Sequence, residues 1–342
     1  MTFIDPVRIG LIGAGRIGAS HAAVIARRVP EARLVAVADP RPGAAAQVAS
    51  PLKARGESSV AAVLAADDVD AVVITASSTA HAELVVAAAA AGKHVFCEKP
   101  AGMTLAEIEL ARSATAKAGV AFQVGFNRRF AADFRAAREA VTQGRIGTVQ
   151  LMRSLTRDPG TGPADPAAVP AWTIFTQTLI HDFDLLNWLN PGARAVDVVA
   201  SADALVRPDF RDHGLLDTAV VVIRYDNGAI ATAEASFAAA YGYDVRGEVF
   251  GSAGMVTVGD GSTTSARLFD AAGRSADTAR SDVDLMRDAY TGEFAEFSAA
   301  IHEGRSPSVT GDDAWAAFAV AQACIDSVGS GGRVAVSQDV TP

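Results

Sequence analysis

Cysteine is nearly absent: Cys97 and Cys324 are the only two in 342 residues, and they lie far apart. Such a pair supports neither a disulfide framework nor a cysteine-based zinc site, and both read as small buried hydrophobes. A basic surplus is lacking too. Against 39 Asp and Glu stand 30 Lys and Arg, for a net charge of −9, so the excess that earns a phosphate-backbone binder its counterion-release energy is missing. Nucleic acid is not an expected partner. No apolar run approaches the roughly 20 residues needed to cross a bilayer; the longest, Leu84–Ala91, is mostly alanine and ends at Gly92-Lys93. The first residues carry Asp5 ahead of any basic side chain and lead straight into an apolar strand, unlike a secretory signal. A cytoplasmic protein is expected. What the chain does have is apolar residues, 50% of the total, enough for a sizeable core and, at this length, for two domains.

Residues 1–125 alternate short β-rich runs with alanine-rich stretches, the pattern of parallel βαβ units covered on both faces. Strands are expected over Val7–Ile12, Leu34–Ala38, Ala71–Ala76, His94–Cys97 and Ala121–Gly125, with helices between them. Thr104 and Glu107 form a capping-box pattern, and Gly92 and Gly119 stand where helix C-caps belong. Residues 126–342 change rhythm. One amphipathic helix over Phe130–Gln143 leads into long alternating strands at Gly147–Arg157, Val196–Leu205, Asp217–Tyr225, Ala229–Phe237 and Val245–Phe250. Asp226-Asn227-Gly228 predicts a hairpin in which Asn-Gly supplies two positive φ values. The breaker-rich stretch Asp158–Pro166 predicts a loop, followed by a helix over Ile174–Leu189. The fold class is therefore α/β: an N-terminal doubly wound Rossmann sheet, then an α+β domain with a large, open, mostly antiparallel sheet.

Three groups of residues carry chemistry. Gly13-Ala14-Gly15-Arg16-Ile17-Gly18 follows a strand and opens a helix, and Asp39 ends the next strand about twenty residues on, which is the context a dinucleotide loop needs. Gly13 permits the tight turn, Gly15 lets backbone approach a pyrophosphate, Gly18 lets the helix pack on the strand, and the helix N-terminus presents its amides to phosphate. Asp39 suits ribose hydroxyls and repels a 2′-phosphate, which favours NAD over NADP; Arg41 would pair with such a phosphate if Asp39 turned aside. Glu98-Lys99-Pro100 sits at the C-terminal end of its strand, where open α/β sheets hold ligands. Lysine there can stabilise the alkoxide that develops as hydride leaves carbon, although a Glu-Lys pair alone is more often a solvated surface pair. Gln177 and His181 fall four apart on one helix face, with Asp184 further along. Imidazole suits a general base near neutral pH, yet a lone helix histidine is more often structural. His181, Asp182 and Asp184 do not converge on one point, so no metal is expected.

The glycine fingerprint with Asp39, Ser77-Ser78-Thr79-Ala80-His81, Glu98-Lys99-Pro100, Gln123-Val-Gly-Phe-Asn-Arg-Arg-Phe130, Arg157-Asp158-Pro159 and Leu179-Ile-His-Asp-Phe-Asp184 occur in an order that resembles the Gfo/Idh/MocA oxidoreductases over nearly the whole chain. Tyr241-Gly-Tyr-Asp-Val draws the likeness toward the inositol 2-dehydrogenases. The resemblance implies NAD held by Gly13, Gly15, Arg16, Ile17, Gly18, Asp39, Arg41, Ser77, Ser78, Thr79, His81, Glu98 and Lys99. It implies a polyol or sugar bound by Asn127, Arg128, Asp158, Gln177, His181 and Tyr243, with Lys99 and His181 as the catalytic pair and Gln177 beside them. A homodimer or homotetramer formed through the C-terminal sheet is implied as well. Three positions depart from the family pattern: Gln177 replaces a usual aspartate, Trp172-Thr173 a frequent glycine pair, and Ala131 an aspartate after the arginine pair. They open the readings of a different sugar or glycoside substrate, a ketosugar reductase, or an NAD-binding sensor without turnover.

Overall fold

The computed structural model describes residues 5–160, 166, 169–259, 262, 264 and 266–338. Residues 161–165 of the expected breaker-rich loop lie outside these. Two compact units result. One runs to Phe130 and takes in Arg287–Trp315; the other comprises Ala131–Met286 and the stretch from Ala316. The first unit is thus discontinuous, where the sequence suggests two contiguous parts meeting after residue 125.

The first unit is built from β1 (Val7–Ile12), α1 (Arg16–Arg28), β2 (Ala32–Ala38), α2 (Ala44–Ala49), β3 (Arg55–Glu57), α3 (Val60–Leu64), β4 (Ala71–Ile74), α4 (His81–Ala90), β5 (His94–Cys97), α5 (Leu105–Ala118) and β6 (Phe122–Val124). Its six strands are parallel in the order β3-β2-β1-β4-β5-β6, so the strand order reverses between β1 and β4 and opens a ligand crevice there. Ala71 to Ile74 are wholly buried, as central parallel strands must be. β3 is the strand the sequence conceals: it is three residues long, flanked by charges, and has no apolar alternation to betray it. At α5, the Thr104 hydroxyl accepts the Glu107 amide at 3.1 Å and the Glu107 carboxylate accepts the Met103 amide at 2.6 Å, while Gly119 ends the helix at φ 67°.

The second unit holds α6 (Ala132–Thr142), β7 (Val149–Arg157), a π-helical turn at Ile174–Thr178, α7 (Ile180–Leu189), β8 (Ala195–Asp203), β9 (Thr218–Tyr225), β10 (Ile230–Ser236), β11 (Asp244–Gly251), β12 (Gly254–Val258), the small hairpin β13 (Leu268–Asp270) and β14 (Gly273–Ser275), and α8 (Asp282–Leu285). After α9 (Arg287–Glu303) and α10 (Gly311–Ser330), β15 (Val334–Ala335) completes a seven-stranded sheet, order β12-β11-β7-β10-β9-β8-β15. Only β7 and β10 pair in parallel. In β9, Ala219, Val221, Ile223 and Tyr225 are buried and the residues between them face the other way. α7 covers the buried face, its Asp182 carboxylate accepting hydrogen bonds from Ser154 and, at 2.7 Å, from Thr156 of β7.

Two sequence expectations change here. The β9–β10 hairpin forms, but its loop has three residues, closed by Gly228 N–H to Tyr225 O and Tyr225 N–H to Ala229 O. Only Gly228 has positive φ, 87°, as in a type I turn followed by a left-handed bulge residue. Asn227 instead donates its side-chain amide to Asn190 at 2.9 Å. No element is expected from sequence beyond Phe250, yet α9 packs into the first unit. Phe294 and Phe297 are fully buried with ring centroids 4.8 and 6.0 Å from Phe96 of β5, and each such ring contributes about 1.5–3 kcal/mol, which explains why the chain returns.

Candidate active site

The glycine loop lies between β1 and α1, and each glycine answers a different constraint. A Cβ on Gly13, already at φ 106°, would stand 2.6 Å from the Ala76 amide nitrogen, and one on Gly18 would stand 1.9 Å from the Gly13 carbonyl oxygen. Both are required by the protein's own packing. Gly15 is different: it is the residue that caps α1, at φ −76° and ψ −171°, and a Cβ there would meet nothing within 4 Å. Its smallness leaves open space in front of the helix N-terminus, which no side chain caps and whose first turn holds no acidic residue. That open cradle at a positive dipole end fits a dinucleotide pyrophosphate. Thr75, which sequence alone does not single out, fixes the loop from β4 by donating to the Gly13 carbonyl at 2.7 Å.

Asp39 closes the crevice at the end of β2. It accepts from the Ala14 amide at 2.7 Å and from the Arg41 amide and guanidinium at 2.9 Å. The Arg41 hydrogen bonds overcome the opposing effect of burial and bring the Asp39 carboxyl down to about 2. Arg41 is therefore the partner of Asp39 and holds it ionised. Arg16 is exposed and Ile17 half-buried beyond the loop. Ser77 and Thr79 are exposed, with Ser78 half-buried, on a 3-10 turn after β4. His81 is buried, with Nδ1 2.8 Å from the Pro100 carbonyl and Nε2 3.1 Å from that of Ala76; burial outweighs these contacts and lowers its proton affinity.

Lys99 is half-buried at the carboxyl end of β5, and its amide donates to Glu98 Oε2 at 3.1 Å. Asn127 and Arg128 are buried on the 3-10 turn Asn127–Phe130, where Arg129 pairs with Asp313 at 2.9 Å. Lys99, Asn127 and Arg128 belong to the first unit.

The other candidates belong to the second unit. Gln177 lies in the π-helical turn and His181 in the first turn of α7, both half-buried. The expected single α-helix over Ile174–Leu189 is thus broken in type, with Leu179 N–H bonding to Ile174 O five residues back; such π turns are frequent at functional sites. Trp172 precedes the turn at φ 63°, its ring stacked on Phe175 with centroids 6.4 Å apart. A left-handed tryptophan costs about 1–2 kcal/mol. Asp158 is tied to the end of β10 by its amide to Ser236 O and to the chain just beyond it by its carbonyl, which accepts Ala239 N–H, both 2.9 Å. Tyr243 is half-buried and its amide donates to Ala279 O at 2.7 Å, just ahead of Asp244, which holds Tyr241 and Arg246.

Comparison with known proteins decides what this arrangement belongs to. Residues 7–126 match the oxidoreductase family with the NAD-binding Rossmann fold, and residues 134–257 match the Gfo/Idh/MocA C-terminal domain. The chain belongs to the Gfo/Idh/MocA oxidoreductase family. It is 37% identical over 309 residues to a myo-inositol 2-dehydrogenase of Thermotoga maritima, covering 90% of this chain and 92% of that one. To a scyllo-inositol 2-dehydrogenase (NAD(+)) of Bacillus subtilis it is 33% identical, covering 95% of each. The structure of a Lactobacillus casei scyllo-inositol dehydrogenase with bound NAD(H) and scyllo-inositol superposes with a TM-score of 0.92 at 27% identity, over 98% of this chain and 100% of that one. This member of the family is an oxidoreductase whose cofactor is NAD, in keeping with the open cradle at Gly15 and the ionised Asp39. Beyond Thr75, sequence reasoning misses His21 and Glu293, which surround Glu98. The one sequence signal for His21 is its place three residues after Gly18 on the buried stripe of α1; Glu293 carries none.

Proposed function

We propose that the protein oxidises a secondary hydroxyl of a cyclic polyol or sugar, with inositol as the reference substrate. The observation that carries this reading is a NAD cradle and a lysine at the end of β5 in a chain that resembles inositol dehydrogenases along its length. NAD, when bound, supplies the hydride acceptor. The substrate hydroxyl proton would pass to an imidazole nitrogen of His181 as the carbon that bears it is oxidised. Lys99 donates a hydrogen bond to the same oxygen and stabilises its negative charge. Asn127, Arg128, Asp158 and Tyr243 hydrogen-bond the remaining hydroxyls. Gln177 can orient His181 but offers no charge to the imidazolium. With Trp172, it keeps a different sugar or glycoside, or reduction of a ketosugar, as the alternative to oxidation of inositol.

The test is NADH production with a panel of inositols, aldoses and glycosides. Turnover that falls at least tenfold in both Lys99→Met and His181→Asn supports the reading. Absence of turnover across the panel with NADH binding intact favours the sensor. Gln177→Asp raises turnover and moves the acid limb of kcat/KM to higher pH, because an added carboxylate stabilises imidazolium.

A second copy of the chain is proposed to cover the open face of the seven-stranded sheet, giving a dimer or tetramer. Met255, Phe250, Leu151 and Ile230 form one row across four strands in register, 54, 44, 45 and 42% exposed. Several charges on that face are paired, Arg153 and Arg157 with Glu234 and Arg224 with Asp197. A cytoplasmic location is proposed as well; among the described residues no helix is long and apolar enough to cross a membrane.

A further inference from the structure

Behind Lys99 lies a cluster of ionisable groups that the proposed reaction leaves unused. His21 of α1, Glu98 after β5 and Glu293 of α9 place their ligating atoms within 4.8 Å of one another. The side chains of His21 and Glu98 are 0% and 12% exposed, and Glu293 is 0% exposed. Aromatic rings wall them in: the His21 ring stands 5.0 Å from both Tyr290 and Phe294 and 6.3 Å from Phe96. His21 Nε2 and Glu98 Oε1 are 2.7 Å apart, and Glu98 Oε2 accepts the Lys99 amide at 3.1 Å. Both Glu293 carboxyl oxygens are buried without a hydrogen-bond partner. From the other side, His81 reaches the Pro100 carbonyl at 2.8 Å. The Lys99-Pro100 segment is therefore gripped at its amide by Glu98 and at its carbonyl end by His81.

We infer that Glu98 is a positioning residue for Lys99: its carboxylate ties α1, the helix that opens at the glycine loop, to the backbone that carries the lysine. The strut runs His21 to Glu98 to the Lys99 amide. It sets the place of the Lys99 side chain relative to the cofactor loop, both being in the first unit. Charge bookkeeping agrees. Burial works to raise the Glu98 carboxyl, but the His21 hydrogen bond and the attraction of His21 and Lys99 bring it below its usual range. Burial, with Glu98 close by, pushes Glu293 well above its usual range. Glu98 is the ionised member and Glu293 the protonated one, which avoids two like charges in a dry pocket. A His and two carboxyls are also a donor set for a divalent cation, and the test below separates the two cases.

The inference rests on Lys99 acting as proposed, so the experiment is a double-mutant cycle on kcat with wild type, Glu98→Gln, Lys99→Met and the double variant. NADH affinity and melting temperature serve as controls. Expected at saturating cofactor are a fall of about 100-fold in Glu98→Gln, the scale of a misplaced catalytic group, and little further loss when Lys99 is already gone. A full multiplicative loss in the double variant, or an unchanged kcat in Glu98→Gln, overturns the strut while leaving Lys99 in its role. An unchanged kcat in Lys99→Met overturns the reading of the reaction and the strut with it. Where Glu98→Gln fails to fold, His21→Gln enters the same cycle from the other end. A readout without turnover is the protection of Lys99 by NADH against acetic anhydride, followed by mass spectrometry: protection in wild type that is lost in Glu98→Gln supports the strut, and equal protection overturns it. Stoichiometric zinc or manganese in the purified protein, lost in Glu293→Gln, overturns it in favour of a metal-held strand end.

Discussion

Two alanine substitutions three residues apart in one glycine motif should have opposite consequences. At Gly15 the backbone is at φ −76° and ψ −171° and the new methyl meets nothing within 4 Å. Replacing glycine where alanine fits without strain stabilises by about 0.4–1 kcal/mol through the unfolded chain. At about 2–4 °C per kcal/mol for a unit of this size, Gly15→Ala melts slightly higher than wild type. The same methyl occupies the space left for the pyrophosphate. Losing one or two charge-assisted backbone hydrogen bonds costs about 1.5–3 kcal/mol, or about 10- to 150-fold in the NADH dissociation constant. Gly18→Ala places its methyl 1.9 Å from the Gly13 carbonyl oxygen and 2.8 Å from the Thr75 hydroxyl, so α1 must shift. Overpacking of that kind costs about 1–3 kcal/mol, and the melting temperature falls by about 2–12 °C. Differential scanning fluorimetry and NADH fluorescence titration measure both quantities. A Gly15→Ala protein that melts well below wild type, or that binds NADH as tightly, refutes the reasoning.

Asp39→Ala releases Arg41 from its carboxylate partner and removes the charge that repels a 2′-phosphate; the ratio of NAD to NADP efficiency drops by about tenfold or more, and an unchanged ratio counts against Asp39 as the discriminator. His81 titrates below its ordinary value because it is buried. The unfolded chain therefore takes up that proton more readily, so the His81 contribution is complete above pH of about 6.5 and declines as pH falls toward the folded value. Urea midpoints at pH 7.5 and 5.5 should differ less in His81→Gln than in wild type, and equal differences would exclude the effect. Phe250→Glu or Leu151→Glu, each placing charge in the exposed apolar row, should convert the assembly to monomer by light scattering; a monomeric wild type would dispose of the proposed interface.

Some of this protein is determined by the sequence alone, because the physics is local. The βαβ rhythm, the glycine loop with Asp39, the capping box at Thr104 and the C-cap at Gly119 each depend on a few neighbouring residues, and each is found where the sequence predicts it. The mostly antiparallel second sheet follows from alternation along single strands, such as Ala219 to Tyr225. Tertiary structure decided the rest. β3 exists because β2 offers it an edge, not because Arg55-Gly-Glu57 favours a strand. The first unit includes α9 because Phe96 needs Phe294 and Phe297 against it, a demand some two hundred residues distant. The turn at Asn227 takes one positive φ where two are expected because Asn190 claims its side chain. The helix holding Gln177 begins as a π turn behind a left-handed Trp172. Glu98 is the fullest case: the sequence places it beside Lys99 as a cofactor contact, but only burial beside His21 and Glu293 makes its carboxylate a brace, since charge pairing in a dry interior depends on which distant groups the fold brings within a few ångströms.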